Sequence, residues 1–209
     1  LVLCAPFVYR TYQKPLGYAG DYEMVNMILR DPHEGSSLFA KLVNVCFLNQ
    51  PPAEAHRNRI AYLTEKIKEE TKRVLNKGRI AQFYNLGCGP AKEVQCFMME
   101  SELSNHADFT LLDFSDETLM YTAQLLNDLK MQHARTIHLR TVKKSVHQIL
   151  KEACKTGDTY DMVYCAGLFD YMSDRVCKRL MDIFYDLVAP GGLILATNVD
   201  ASKPFRHSM

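Results

Sequence analysis

The 209 residues predict an α/β fold, a doubly wound and mostly parallel sheet preceded by an N-terminal helical segment. Three observations carry this expectation. From Arg79 onward, apolar runs of strand length alternate with helical patterns, the signature of parallel strands joined by crossover helices. The stretch IAQFYNLGCGPAKE (80–93) passes from a strand through Gly87-Cys88-Gly89-Pro90 into a helix start. The run FTLLD then ends in Asp113, about twenty residues past that turn, where an acid can accept hydrogen bonds from a ribose.

Taken in order, residues 1–50 are the hardest to place. Tyr9, Tyr12, Tyr18 and Tyr22 cluster around the turn-rich LGYAGD, and EMVNMILR follows with helical spacing of Met24, Met27 and Ile28. Asp31-Pro32 ends that helix, because the residue before a proline avoids the α region. Ser36 or Ser37 can cap a second helix carrying Leu38, Leu42, Val43 and Cys46. Pro51-Pro52 opens a long one with Ile60, Leu63, Ile67 and Val74 as its apolar stripe, and Asn76-Lys77-Gly78 closes it. Strands are expected at about 80–86, 108–113, 135–140, 160–165 and 193–198. Helices fit about 91–103, 116–131, 145–155 and 174–187, with Ser115 capping the second. Pro190-Gly191-Gly192 reads as the turn into the last strand. The division falls between a helical or lid segment, 1–78, and a ligand-binding domain, 79–209.

Composition narrows the partners. A formal charge of +1 offers no basic field for nucleic acid. No apolar run is long enough to cross a membrane, and LVLCAPFV lacks the basic start of a signal peptide. Seven cysteines without a C-x-x-C pair read as buried free thiols in a reducing, cytoplasmic compartment. The seven histidines show no ligand spacing, so no metal is expected. A chain that starts at Leu1 and stops after a strand reads as part of a longer protein.

In such a sheet, ligands sit outside the carboxyl ends of the strands. Gly87–Pro90, Asp113 and Tyr164–Asp170 are therefore the candidate site. Asp113 also suits a helix cap before Ser115, and the two roles are compatible. A dinucleotide fingerprint needs a third glycine, and Lys92 occupies that position. The lone G-x-G leaves the nucleotide undecided.

The wider set of motifs is informative. YNLGCGPA, LLDFSDETL, DMVYCAGLFDYMSD and LVAPGGLILATNV resemble, in order and spacing, the successive motifs of class I S-adenosylmethionine (SAM) methyltransferases over about residues 80–200. The resemblance implies a Rossmann-like fold, SAM as cofactor and S-adenosylhomocysteine (SAH) as product. Gly87 and Gly89 would line the methionine part, Asp113 would bind the ribose hydroxyls, and Ser145 and Val146 would lie near adenine. Cys165, Ala166 and Gly167 would border the sulfonium and the acceptor, and Asn85, Cys88, Pro90 and Phe114 complete the cofactor-binding set. Asn85 departs from the pattern, since many members carry an acid there. The class I fold continues into two more strands, which would follow Met209. A narrower likeness, through KPLGYAGDYEMVNMI, GSSLF, NLGCGPA and AGLFDYMSDRVCKRL, is to bacterial methyltransferases of 3-hydroxypalmitic acid methyl ester biosynthesis. It implies carboxyl O-methylation of a 3-hydroxy fatty acid, a small lipid-like acceptor.

A carboxylate, with a pKa of about 4, is already ionised at neutral pH and needs alignment rather than a base. Were the acceptor an alcohol, His33, Asp21 and Asp170 are the candidate bases. Tyr18-Ala19-Gly20-Asp21-Tyr22 reads as a lid whose aromatic faces would favour a cationic sulfur, or alternatively as helix packing. Tyr22, Asp21 and Tyr171 form the candidate catalytic set. Tyr164 and Phe169 read as acceptor wall or strand core, His33 as a turn residue, the methionine pairs as core, and Arg57 and Arg59 as a solvated helix face or, alternatively, as a positive charge that could hold an acceptor carboxylate. Two other classes stay open: a nicotinamide-dependent oxidoreductase, and a non-catalytic module that senses SAM or a lipid.

Overall fold

Apolar alternation dictates the sheet, and the sheet positions everything else. The computed structural model describes residues 1–18, 20–152 and 159–198. Two compact units divide between Ala61 and Tyr62, inside a helix rather than at the expected 78/79 boundary. The expected helix tail at 153–155, Cys154, Ala19 of the lid and everything after Asn198 lie outside the described residues.

The first unit is helical. After a short 3-10 turn at Val2–Cys4 come α1 (Pro6–Gln13), α2 (Tyr22–Leu29), α3 (Leu38–Leu48) and the start of α4 (Pro51–Leu75). Helix α1 was not expected; its signal was Pro6, a proline at the first helical position. Ser37 caps α3 as anticipated, its Oγ accepting from the Ala40 amide at 3.1 Å. The apolar residues of α3 do not all face inward. Ala40, Asn44 and Leu48 are buried, while Leu38 and Leu42 are exposed. The reason is polar: Asn44 accepts from the Phe7 amide at 2.9 Å and donates to the Pro32 carbonyl at 2.8 Å. Arg57 is likewise no solvated side chain. Its guanidinium donates to the carbonyls of Ile28 and Leu48 at 3.1 Å, near the open ends of α2 and α3.

The second unit is a Rossmann-like, doubly wound α/β fold. It comprises the rest of α4, β1 (Ala81–Leu86), α5 (Lys92–Glu100), β2 (Ala107–Asp113), α6 (Asp116–Gln132), β3 (His138–Lys143), α7 (Val146–Glu152), β4 (Tyr160–Ala166), α8 (Asp174–Leu187) and β5 (Val188–Thr197). The five strands pair in the order β3-β2-β1-β4-β5, all parallel, so the order reverses between β1 and β4. One face packs Phe83, Phe109, Leu111 and Met162 against Leu63, Ile67 and Val74 of α4, Val94 and Phe97 of α5, and Leu119 and Leu126 of α6. The other packs Tyr84, Leu86, Leu112, Val163 and Cys165 against α7 and α8 through Ile149, Leu180 and Phe184.

Two strands depart from their expected limits. Strand β3 begins at His138 because Ala134 takes a left-handed conformation (φ 49°) and Arg135 donates to the Met98 carbonyl at 2.8 Å. Pro190-Gly191-Gly192 is not a turn before β5 but a bulge within it. Between the pairs Tyr160↔Val188 and Met162↔Leu193 the register shifts, with Gly191 at φ 74°. A Cβ on Gly192 would come within 2.7 Å of the Asp161 carbonyl, so the close approach requires glycine.

Among the described residues no helix is long and apolar enough to cross a membrane, and no cluster of His, Cys, Asp or Glu could hold a metal ion. Of the free thiols, Cys88 and Cys165 are buried, while Cys4 and Cys46 are exposed, contrary to the expectation of burial throughout.

Candidate functional site

Three strands of one sheet face run apolar and end polar. On β1 the row Ala81, Phe83 ends in Asn85; on β2 the row Ala107, Phe109, Leu111 ends in Asp113; on β4 Met162 is followed by Tyr164. The parallel registers Asn85↔Leu111 and Asn85↔Tyr164 bring these ends side by side, at the carboxyl edge where β1 and β4 diverge in order.

The glycine turn sits on this edge. The amides of Gly87 and Cys88 both donate to the Leu112 carbonyl, at 2.8 and 2.9 Å, tying the turn to β2. Gly89 donates its amide to Asp113 Oδ2 at 3.2 Å, and its carbonyl accepts from the Thr122 hydroxyl at 2.7 Å. Gly89 has a φ of 51°, and a Cβ there would meet no atom within 4 Å. The turn is open on the side a ligand would approach. Ala91, fully buried, is left-handed as well (φ 48°), a backbone strain of the kind that gathers at functional sites. Pro90 is buried, and its carbonyl accepts from Gln95 Nε2 at 2.6 Å; Lys92, in the third-glycine position, donates to Gln95 Oε1 at 2.9 Å.

Asp113 makes the expected bond before Ser115 and a second one across the turn. Oδ1 accepts from the Ser115 amide at 3.0 Å and Oδ2 from Gly89. Burial raises its carboxyl above the usual aspartate value, against the lowering effect of the Ser115, Gly89 and Phe114 amides. Phe114 beside it is half exposed, and the Lys144 amide donates to the Asp113 carbonyl at 2.9 Å, joining the end of β3 to the same edge.

Ser145 and Val146 open α7. Ser145 Oγ accepts from the Gln148 amide at 3.3 Å, while Gln148 Oε1 accepts from the Ser145 amide at 2.8 Å, a reciprocal cap that gives Ser145 a structural task at the edge of the site. Cys165 lies in the second core face and is fully buried, and Ala166 ends β4. Gly167 donates to the carbonyl and hydroxyl oxygens of Thr197, both at 3.2 Å, tying the end of β4 to β5. Tyr171 follows in a short 3-10 turn (Phe169–Tyr171) and is 55% exposed.

Asp21 and Tyr22 belong to the helical unit. Asp21 is 1% exposed, caps α2 through the Met24 amide at 2.8 Å, and holds Arg10 with both oxygens at 2.9 and 2.8 Å. These contacts occupy the carboxylate as an acceptor. Tyr22 is half-buried at the start of α2. His33 is exposed and bonded to Asp31 Oδ1 at 2.7 Å, the turn role expected of it.

The residue that sequence reasoning missed is Glu93. It is 5% exposed on the core side of α5, and its Oε1 accepts from Asn85 Nδ2 at 3.0 Å and from the Tyr164 hydroxyl at 2.9 Å. The signal was present, a charged residue on the face that also carries Val94, Phe97 and Met98. Burial, followed by the Glu93 charge, holds the Tyr164 phenol well above its usual range. Cys88 is pushed up by burial, then by Asp113 and Glu93, so two acids flank the turn.

No protein-family model and no curated protein matches this chain. Solved structures do. A putative sarcosine dimethylglycine methyltransferase from Galdieria sulphuraria is 16% identical, with a TM-score of 0.48, over 69% of this chain and 48% of that one. The magnesium protoporphyrin IX methyltransferase ChlM from Synechocystis PCC 6803, with bound SAH, is 12% identical, with a TM-score of 0.46, over 87% and 67%. PKMT2 from Rickettsia typhi, in complex with AdoHcy, is 16% identical, with a TM-score of 0.43, over 56% and 20%. This chain thus spans less than half the length of two of these three proteins.

Proposed function

We propose that the protein is a SAM-dependent methyltransferase whose acceptor is the carboxylate of a 3-hydroxy fatty acid. The observation that carries this reading is the pair of buried acids around the glycine turn, Asp113 at 4% exposure and Glu93 at 5%. A helix N-terminus after a glycine turn commonly receives a phosphate. Here a pyrophosphate would meet two carboxylates in a poorly solvated site, where like charges repel strongly. A ligand offering a neutral diol and cationic groups suits the same surroundings, and SAM is such a ligand. The Cβ-free space at Gly89 and the unpartnered Asn85 Oδ1 fit this group as well. The turn would hold its methionine part and Asp113 its ribose hydroxyls. When bound, SAM supplies an electrophilic methyl group.

The acceptor rests on the narrower sequence likeness and on chemistry. An ionised carboxylate needs only desolvation and alignment. Tyr171, exposed beyond β4, is the wall we assign to the acceptor. Asp21, capping α2 and paired with Arg10, holds the helical unit in shape rather than acting as a base.

The test uses SAM labelled on the methyl group, the full-length protein and 3-hydroxypalmitate. Alkali-labile label, recovered as methanol above a no-acceptor control, is the expected result. Alkali-stable label would move the acceptor to an alcohol, amine or carbon. No transfer despite SAH binding would favour a sensor, and tighter binding of NADH than of SAH would favour an oxidoreductase.

A further inference from the structure

Helix α3 is apolar on both sides. Helical spacing puts Ala40, Asn44 and Leu48 in one stripe and Leu38, Phe39, Leu42 and Cys46 in the stripe opposite. The buried stripe is the small and polar one, with Asn44 bonded to the Phe7 amide and the Pro32 carbonyl. The outward stripe carries the large side chains: Leu38 is 75% exposed, Leu42 60% and Phe39 47%, with Cys46 exposed beside them. Lys41 is the single charge of the helix and stands on its flank. Val2 and Leu3, also exposed, belong to the 3-10 turn that lies against α3. A helix apolar all round is ordinarily covered, and among the described residues nothing covers this side.

We propose that this stripe is the interface between two copies of the chain, which pack as an antiparallel α3 pair about a two-fold axis. The area supports such a contact. The exposed parts of the stripe, with Val2 and Leu3, amount to on the order of 500 Å². An interface burying about 800 Å² per partner, about two-thirds of it apolar, needs that much. The charge pattern points the same way. A charged partner or an anionic lipid surface calls for a run of opposite charge, and the stripe has none. An uncharged apolar stripe is complementary to itself, as a two-fold contact requires. Symmetry then sets the register. Leu42 is the middle of the series Leu38, Leu42, Cys46, so it meets Leu42 of the partner subunit, and Leu38 meets the partner subunit's Cys46. At about 1.5 Å of rise per residue, the two copies of Cys46 stand about 12 Å apart along the pair. The inference is independent of any ligand at the glycine turn.

The test is sedimentation velocity of the full-length protein across the micromolar range, with thermal melting as a check on folding. The wild type is expected to sediment as a dimer that dissociates on dilution. Leu42→Glu brings two carboxylates face to face and should weaken the dimer by about a hundredfold or more, whereas Leu42→Met should keep it. A wild type that is monomeric at every concentration, or a Leu42→Glu dimer as tight as the wild type, overturns the proposal. Should Leu42→Glu fail to fold, disulfide trapping under mild oxidation decides. Leu42→Cys in a Cys4→Ser, Cys46→Ser background should give a covalent dimer. That background alone, and Cys4→Ser alone, should give none, because a disulfide needs Cα atoms within about 7 Å. Absence of trapping through Leu42→Cys, or trapping through Cys46 in its place, overturns the antiparallel pair. A monomer that cosediments with phosphatidylcholine vesicles, and ceases to in Leu42→Glu, overturns it in favour of a lipid surface.

Discussion

The amide of Gly89 donates to the carboxylate of Asp113 across 3.2 Å, joining two residues 24 apart in sequence at the end of neighbouring strands. Through this bond the glycine turn and the acid form one rigid element. The Thr122 hydroxyl, bonded to the Gly89 carbonyl at 2.7 Å, fastens the same residue from α6.

Gly89 is open where a side chain would project. Gly89→Ala should therefore cost only the left-handed backbone penalty, about 1–2 kcal/mol. Its methyl group would nevertheless occupy the ligand's approach, lowering SAH affinity by roughly tenfold or more. Melting and SAH titration of the same preparation check this. A large stability loss with unchanged affinity would contradict the assignment of the turn.

Thr122→Val removes the hydroxyl and leaves the Gly89 carbonyl without that donor. A stability loss of about 1 kcal/mol is expected. SAH affinity should fall modestly as the turn loosens, and less than in Gly89→Ala.

Asp113 titrates above the ordinary aspartate value of 3.8, chiefly because it is buried. A raised carboxyl pKa favours the folded chain below the unfolded value, and that contribution is lost as pH rises through the folded value. Under the proposed function ligand binding would run the other way, because ribose hydroxyls would donate to the carboxylate. SAH affinity should fall on acidification with a midpoint above 3.8. Asp113→Asn should bind SAH roughly tenfold to a hundredfold more weakly at pH 7 and lose that pH dependence. Titrations across the acid range test both statements.

Asp21→Asn separates a structural from a catalytic role. The substitution breaks a bidentate pair with Arg10 and weakens the α2 cap, so a loss of about 2–3 kcal/mol is expected. Residual turnover per folded molecule should be near that of the wild type. Abolished turnover at unchanged Tm would instead make Asp21 a catalytic group.

His56, within the helical unit, is held neutral. Burial, then the Arg59 charge, lowers its pKa from 6.5 to about 3. Arg59 donates to His56 Nδ1 at 2.6 Å, so the ring proton sits on Nε2. A depressed histidine pKa means stability present above 6.5 and lost as pH falls toward 3. His56→Gln should show a smaller drop in Tm between pH 7 and pH 4 than the wild type.

Local stereochemistry was legible in the sequence. Period-two alternation, Gly87-Cys88-Gly89-Pro90, the cap at Ser115 and the prolines opening α4 determined the strands, most helices and the edge that carries the site. Each of these signals depends on a residue and its near neighbours alone. The tertiary structure decided what depends on partners far apart. Glu93 meets Tyr164 across 71 positions, Arg57 reaches the Ile28 carbonyl across 29, and Asn44 meets the Phe7 amide across 37. Pro190-Gly191-Gly192 looked like a turn and became a bulge because β4 pairs on both sides of it. Hydrogen-bond donors and acceptors carry no period of their own, so which of them pair is set only when strands take register and helices take their faces.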